Sequence, residues 1–103
     1  EPLARSVWGH LAIIAVYLGR PQQAKEYCLR SLEYFENRGT RGFLATVKYR
    51  LALAEMALGE YAEAQQHLAE AMNWFDRLGM KPDYVEAEKT QRELVRKVGK
   101  IAA

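Results

Sequence analysis

The apolar positions of this chain fall at helical spacing in five stretches, with proline and glycine confined to their edges. Leu3, Val7, Leu11, Ile14 and Leu18 form one stripe through residues 2–18. Ala24, Cys28, Leu32 and Phe35 share a face of 21–37, and Leu44, Val47, Leu51 and Leu58 share a face of about 40–58. Residues 60–78 carry Ala64, Leu68, Ala71, Met72 and Phe75. A thinner stripe of Tyr84, Ala87, Leu94, Val95 and Val98 marks a fifth helix over about 83–98. No segment alternates with the period of a strand, so the expected fold class is all-α. Pro2 and Pro21 suit a helix first turn, where a missing N–H does no harm. Thr40 is a plausible N-cap. Gly39 is expected to end its helix as a left-handed cap, Gly59 and Gly79 end theirs, and Lys81-Pro82-Asp83 is expected to break the chain.

The stripes recur every 40 residues. Residues 7–39 laid over 47–79 give eight identities without a gap: Val7/Val47, Leu11/Leu51, Ala12/Ala52, Leu18/Leu58, Gly19/Gly59, Ala24/Ala64, Phe35/Phe75 and Gly39/Gly79. Chance at ordinary composition gives roughly two or three. A fixed period of this size marks a stack of repeated units. The turns at Gly19 and Gly59 are short, which forces neighbouring helices antiparallel. Each unit is then one helical hairpin, and stacking supplies the core that a lone hairpin cannot make. The boundaries follow: one domain over 1–103, with repeat 1 at about 1–39, repeat 2 at about 40–79, and a half repeat or capping helix at about 80–99.

The residues inside each unit resemble the tetratricopeptide repeat. Its signature runs aromatic, two spacers, Leu, a small residue, then Gly (often followed two on by Tyr), then Ala. Trp8, Leu11, Ala12, Gly19 and Ala24 supply it in the first repeat. Leu51, Ala52, Gly59, Tyr61, Ala64, Leu68 and Ala71 supply it in the second. Lys48 stands at the Trp8 position and Pro21 at the tyrosine position. The period exceeds the family's common 34 residues, and the additional length falls in the second helix of each pair, bringing in Tyr34-Phe35 and Trp74-Phe75. The resemblance implies a right-handed α-α superhelix of about five helices, and a protein-interaction module with no enzymatic role.

In this family the first helices of successive hairpins line a concave groove. Carried over, that geometry puts Gly9, Ile13, Val16 and Tyr17 on the groove, then Tyr49, Leu53, Met56 and Ala57, then Lys89, Glu93, Arg96 and Lys97. Helical arithmetic agrees that Ile13, Val16 and Tyr17 lie off the Leu11/Leu18 stripe, and Leu53 and Met56 off the Leu51/Leu58 stripe. A helix apolar on two faces needs two partners. The second is either a helical or extended peptide bound in the groove, or the chain's own second helices. Some family members hold a C-terminal carboxylate with a Lys/Asn/Arg clamp. The matching positions here are Gly9, Ile13, Arg50, Glu86 and Thr90, so no affinity for acidic C-terminal peptides is expected.

Other chemistry is sparse. The net charge of +2 does not argue for nucleic acid or an anionic membrane. No apolar run is long enough for a membrane span. The lone Cys28 excludes an internal disulfide, fits a reducing cytoplasm and is expected to be a buried structural thiol. His10 and His67 lack the three or four partners a metal needs, Glu63/His67 being the one pairing at helical spacing. No cofactor is expected. Glu60, Glu63 and Glu70 form an acidic strip and Arg92, Arg96, Lys97 and Lys100 a basic one, both expected to be solvated faces. The chain begins at Glu1 and its last repeat stops halfway, so it reads as a piece of a larger regulatory or adaptor protein. The alternative to groove binding is a self-association or spacer segment, a homodimer formed through end-helix stripes such as Leu3, Val7 and Ile14.

Overall fold

The computed structural model describes residues 19–102. Four helices make it up: α1 Pro21–Phe35, α2 Arg41–Ala57, α3 Tyr61–Arg77 and α4 Lys81–Ala102. Among the described residues there is no strand. The helix predicted over 2–18 lies outside the described residues.

Each helix begins and ends where the side chains dictate. Pro21 opens α1 in its first turn. Thr40 caps α2, its hydroxyl accepting the Phe43 N–H at 3.1 Å, which satisfies one of the helix's orphan donors. Gly59 (φ 80°) and Gly79 (φ 69°) take the left-handed conformation after α2 and α3. The Glu60 N–H then reaches Glu55 O at 2.8 Å and the Met80 N–H reaches Phe75 O at 2.8 Å, closing both helices in the Schellman manner.

Gly39 departs from expectation. Its φ is not positive, and α1 ends earlier, at Phe35. Space is what the position demands, since a Cβ on Gly39 would lie 3.1 Å from the Phe35 Cβ and 3.3 Å from the Phe43 ring. The last helix also differs. It starts at Lys81 and contains Pro82 in its first turn rather than after a break, and it runs through Gly99 to Ala102. A proline second in a helix forfeits only an N–H that has no intrahelical acceptor. An isolated interior glycine costs about 1 kcal/mol, which a long helix absorbs.

Helices pack in chain order: α1 on α2, α2 on α3, α3 on α4, with α2 also meeting α4 and no close backbone approach between α1 and α3. The main core joins Ala45, Ala52 and Met56 of α2 to Leu68, Met72 and Phe75 of α3 and to Ala87 and Leu94 of α4. Cys28 packs with Val47 and Leu51 across the α1–α2 interface. Ala24 meets Ala54 there, both fully buried. The small residues of the repeat sit where backbones approach most closely, which is the physical content of the signature. Ser31 occupies the place that Ala71 fills one repeat later, and its buried hydroxyl has no hydrogen-bond partner among the described residues.

Candidate protein-interaction surfaces

Helix α2 is enclosed on most sides. Ala45, Val47, Leu51, Ala52, Ala54, Glu55 and Met56 are all buried. Of the positions that are not buried, Thr46, Arg50, Leu53 and Ala57 follow one another at spacings of four, three and four, so they form a single strip along the helix, while Arg41, Leu44 and Lys48 lie on the opposite side. Thr46, Arg50 and Leu53 are half-buried and Ala57 is exposed. Beside the strip, Tyr49 shares a hydrogen bond of 2.9 Å with Thr90 of α4 and meets the Phe75 ring edge-on at 6.3 Å. Thr90 also donates to Glu86 O. Neighbouring first helices of the stack are therefore joined at this point by a polar tie over an aromatic contact.

The groove positions read from the sequence divide accordingly. Gly9, Ile13, Val16 and Tyr17 lie outside the described residues. Leu53 stands on the strip. Met56 does not line an open groove: it is 7% exposed and belongs to the main core. Tyr49 is half-covered by α4. Lys89 and Arg96 are exposed on α4, where they share a shallow depression with Arg92 and Val95, away from Leu53. The repeat explains this. Lys89 and Arg96 stand 40 residues after Tyr49 and Met56. Those two face the next hairpin in the stack, and no described element covers their equivalents. Charge replaces apolar surface there.

A second open region lies on the other side of α2, between α1 and α3. It is a polar seam that closes at one end and opens at the other. At the closed end Lys25 of α1 pairs with Glu60 at the start of α3, and Glu60 holds the Lys25 ammonium above its ordinary pKa. Next, the Glu55 carboxylate, 2% exposed, bonds to Nδ1 of His67 at 2.7 Å. Then Lys48 of α2 meets Glu70 of α3 at 3.2 Å. Glu60 and Glu70 are thus cross-helix anchors rather than members of a solvated strip, and His67 pairs with Glu55 rather than with Glu63. Beyond Lys48 the helices leave a cavity of about 370 Å³ lined by Leu32, Glu33, Glu36, Arg41, Leu44, Ala45, Lys48 and Trp74. The sequence held a signal for this seam, since Glu55 stands four residues after Leu51 and seven after Lys48, on one face of an otherwise apolar helix.

Cys28 lies under α2, and burial pushes its thiol up to about 12, with Arg50 opposing the shift and Glu55 adding to it. Such a thiol is not a nucleophile near neutral pH. Among the described residues, no three His, Cys, Asp or Glu side chains gather as metal ligands, and no helix is long and apolar enough to cross a membrane.

A chain of antiparallel hairpins on a 40-residue period, closed at Gly59 and Gly79 and packed through small residues, is now in view. A family model of the tetratricopeptide repeat matches residues 3–73, more than half of the chain. The chain belongs to the tetratricopeptide repeat family. The matched span covers α1, α2 and most of α3 and stops before α4. No curated protein and no solved structure matches the chain. Membership assigns it to a family of protein-interaction modules. The partner has to be argued from the surfaces.

Proposed function

We propose that this tetratricopeptide repeat domain is a non-enzymatic module that binds a helical or extended peptide of a partner protein, within a larger regulatory or adaptor protein of the cytoplasm. The observation that carries the reading is the Thr46–Arg50–Leu53–Ala57 strip. Among the described residues it is a half-buried to exposed face of α2 on the side away from α3 and the Leu44–Trp74 cleft, and it combines an apolar anchor with a guanidinium. Leu53 supplies apolar contact, Arg50 can hydrogen-bond a carboxylate or backbone carbonyl, and Thr46 and Ala57 are small enough for close approach. Ile13 and Tyr17, one repeat earlier, extend the same register in sequence. Lys89 and Arg96 are assigned to the charged outer face of α4, and Tyr49 to the rim of the strip.

The test is selection of random twelve-residue peptides displayed on phage against the folded chain. Enriched peptides should lose about tenfold or more in affinity on Leu53→Asp, since a charge set into an apolar contact costs more than the 1.4 kcal/mol of one decade. The thermal unfolding of that variant should stay near wild type. If Leu53→Asp unfolds the domain instead, Leu53 is an internal packing residue and the strip is not a binding surface.

Self-association is the second reading. Val85 and Val95 are 47% and 58% exposed on α4. They sit among Lys89, Arg92 and Arg96, whose like charges oppose a symmetric contact between copies. A mass that stays monomeric up to high concentration in light scattering removes this reading.

A further inference from the structure

The cavity between α1 and α3 is a product of the long repeat. Leu32 and Glu33 come from the last turn of α1, Glu36 follows it directly as the C-cap, and Trp74 comes from the last turn of α3. In a hairpin with a shorter second helix these walls are missing. The floor is apolar, made by Leu44 and Ala45 with Leu32 beside them. The walls carry opposite charges. On one side stand Glu33 and Glu36, both exposed and without a cation at ion-pair distance among the described residues. On the other, the Arg41 guanidinium lies 4.6 Å from the centre of the Trp74 ring and Arg77 lies 5.6 Å from it. Neither arginine has a carboxylate partner among the described residues. Lys48 and Glu70 neutralise one another at the inner end. At about 370 Å³ the space is at the lower end of the ~300–1,000 Å³ range of ligand-sized clefts.

We propose that this cleft is a second docking site, separate from the Leu53 strip and on the opposite side of α2. Its occupant is one or two turns of a partner helix presenting a leucine- or phenylalanine-sized side chain, with a basic residue on one flank and an acidic residue on the other. The apolar side chain enters over Leu44 and Ala45. The basic flank meets Glu33 and Glu36, and the acidic flank meets Arg41 beside Trp74. Flanks three or four residues from the anchor lie on the same helical face, which sets the spacing. A free carboxylate pair facing free guanidiniums over an apolar floor matches a ligand of mixed charge and leaves one charge unpaired with any ligand of a single sign. The inference does not depend on the strip being a binding surface.

The same phage-displayed library tests both. Clones are assayed against three variants, Leu53→Asp, Glu33→Lys/Glu36→Lys and Arg41→Glu. The last two change exposed positions only, so the fold is retained, as a melting curve verifies. The expected result is a class of clones that binds Leu53→Asp like wild type and loses more than about tenfold on each of the other two variants. Its consensus should hold an apolar residue flanked by Lys or Arg and by Asp or Glu at helical spacing. The proposal is overturned if every enriched clone depends on Leu53, or if the cleft-dependent clones carry charge alone without an apolar anchor. The first of these outcomes leaves the strip reading standing. Clones that depend only on the cleft would remove the strip reading and keep this one.

Discussion

Replacing His67 with alanine takes away the one hydrogen-bond partner that the Glu55 side chain has among the described residues. Glu55 is 2% exposed and His67 25% exposed. A carboxylate left unpaired in a protein interior costs about 3–5 kcal/mol. Here the vacated imidazole opens a path to solvent, and water recovers part of that cost. The expected loss is therefore smaller, about 2–3 kcal/mol. At roughly 4–8 °C per kcal/mol for a domain of this size, the midpoint should fall by about 10–20 °C. Urea and thermal melts followed by far-UV circular dichroism at pH 7.5 measure it. The control is the double variant Glu55→Met/His67→Ala. Methionine replaces the charge with an apolar chain of similar length, and stability should return to within about 1 kcal/mol of wild type. The reasoning fails if His67→Ala costs less than about 0.5 kcal/mol, which is the scatter of ordinary surface changes. It fails equally if the double variant is as unstable as the single one, because the loss would then come from packing and not from an orphaned charge.

Ser31→Ala, which copies Ala71 of the next repeat, should leave stability unchanged or raise it by up to about 1 kcal/mol in urea melts, because the buried hydroxyl it removes has no partner among the described residues. Cys28 should react with a thiol reagent at the rate of domain opening, and denaturant should release it to full reactivity. Its folded pKa of about 12 lies above the ordinary value of 9.0. The unfolded thiol ionises first, so its contribution to stability is complete below about pH 9 and is lost as pH rises towards about 12, a trend measurable by melts of Cys28→Ala against wild type across that window. A peptide ending in acidic residues and a free carboxylate should give no heat on titration, since Glu86 and Thr90 stand at clamp positions and Thr90 is covered by Tyr49. Millimolar or tighter binding would contradict this.

The hairpin order, the 40-residue period and the helix stops at Gly59 and Gly79 were legible because each rests on a local rule: apolar spacing, the left-handed freedom of glycine, the capping hydroxyl of Thr40. The groove was less legible. Helical spacing shows that α2 is apolar on two faces but not which neighbour covers each. Tyr49 and Met56 belong to a face that the following hairpin covers, and Leu53 and Ala57 remain on the open strip. A signal was present in the replacement of those two by Lys89 and Arg96 one period later, where nothing described stacks. Gly39 does not cap its helix because its role is room for Phe35 and Phe43, a packing demand that no local pattern encodes. The α1–α3 seam joins residues 12 to 35 positions apart, Glu55 to His67 and Lys25 to Glu60. Such pairings become visible only once the helices are stacked.

The central claim is that the open strip of α2 receives a partner peptide. It is tested most directly by titrating a peptide enriched from the displayed library into ¹⁵N-labelled chain and following amide shifts. The account predicts that the largest changes map to Thr46, Arg50, Leu53 and Ala57, and that they vanish in Leu53→Asp. Saturable binding that leaves this strip unperturbed, whether or not the Leu44–Trp74 cleft responds, would contradict it.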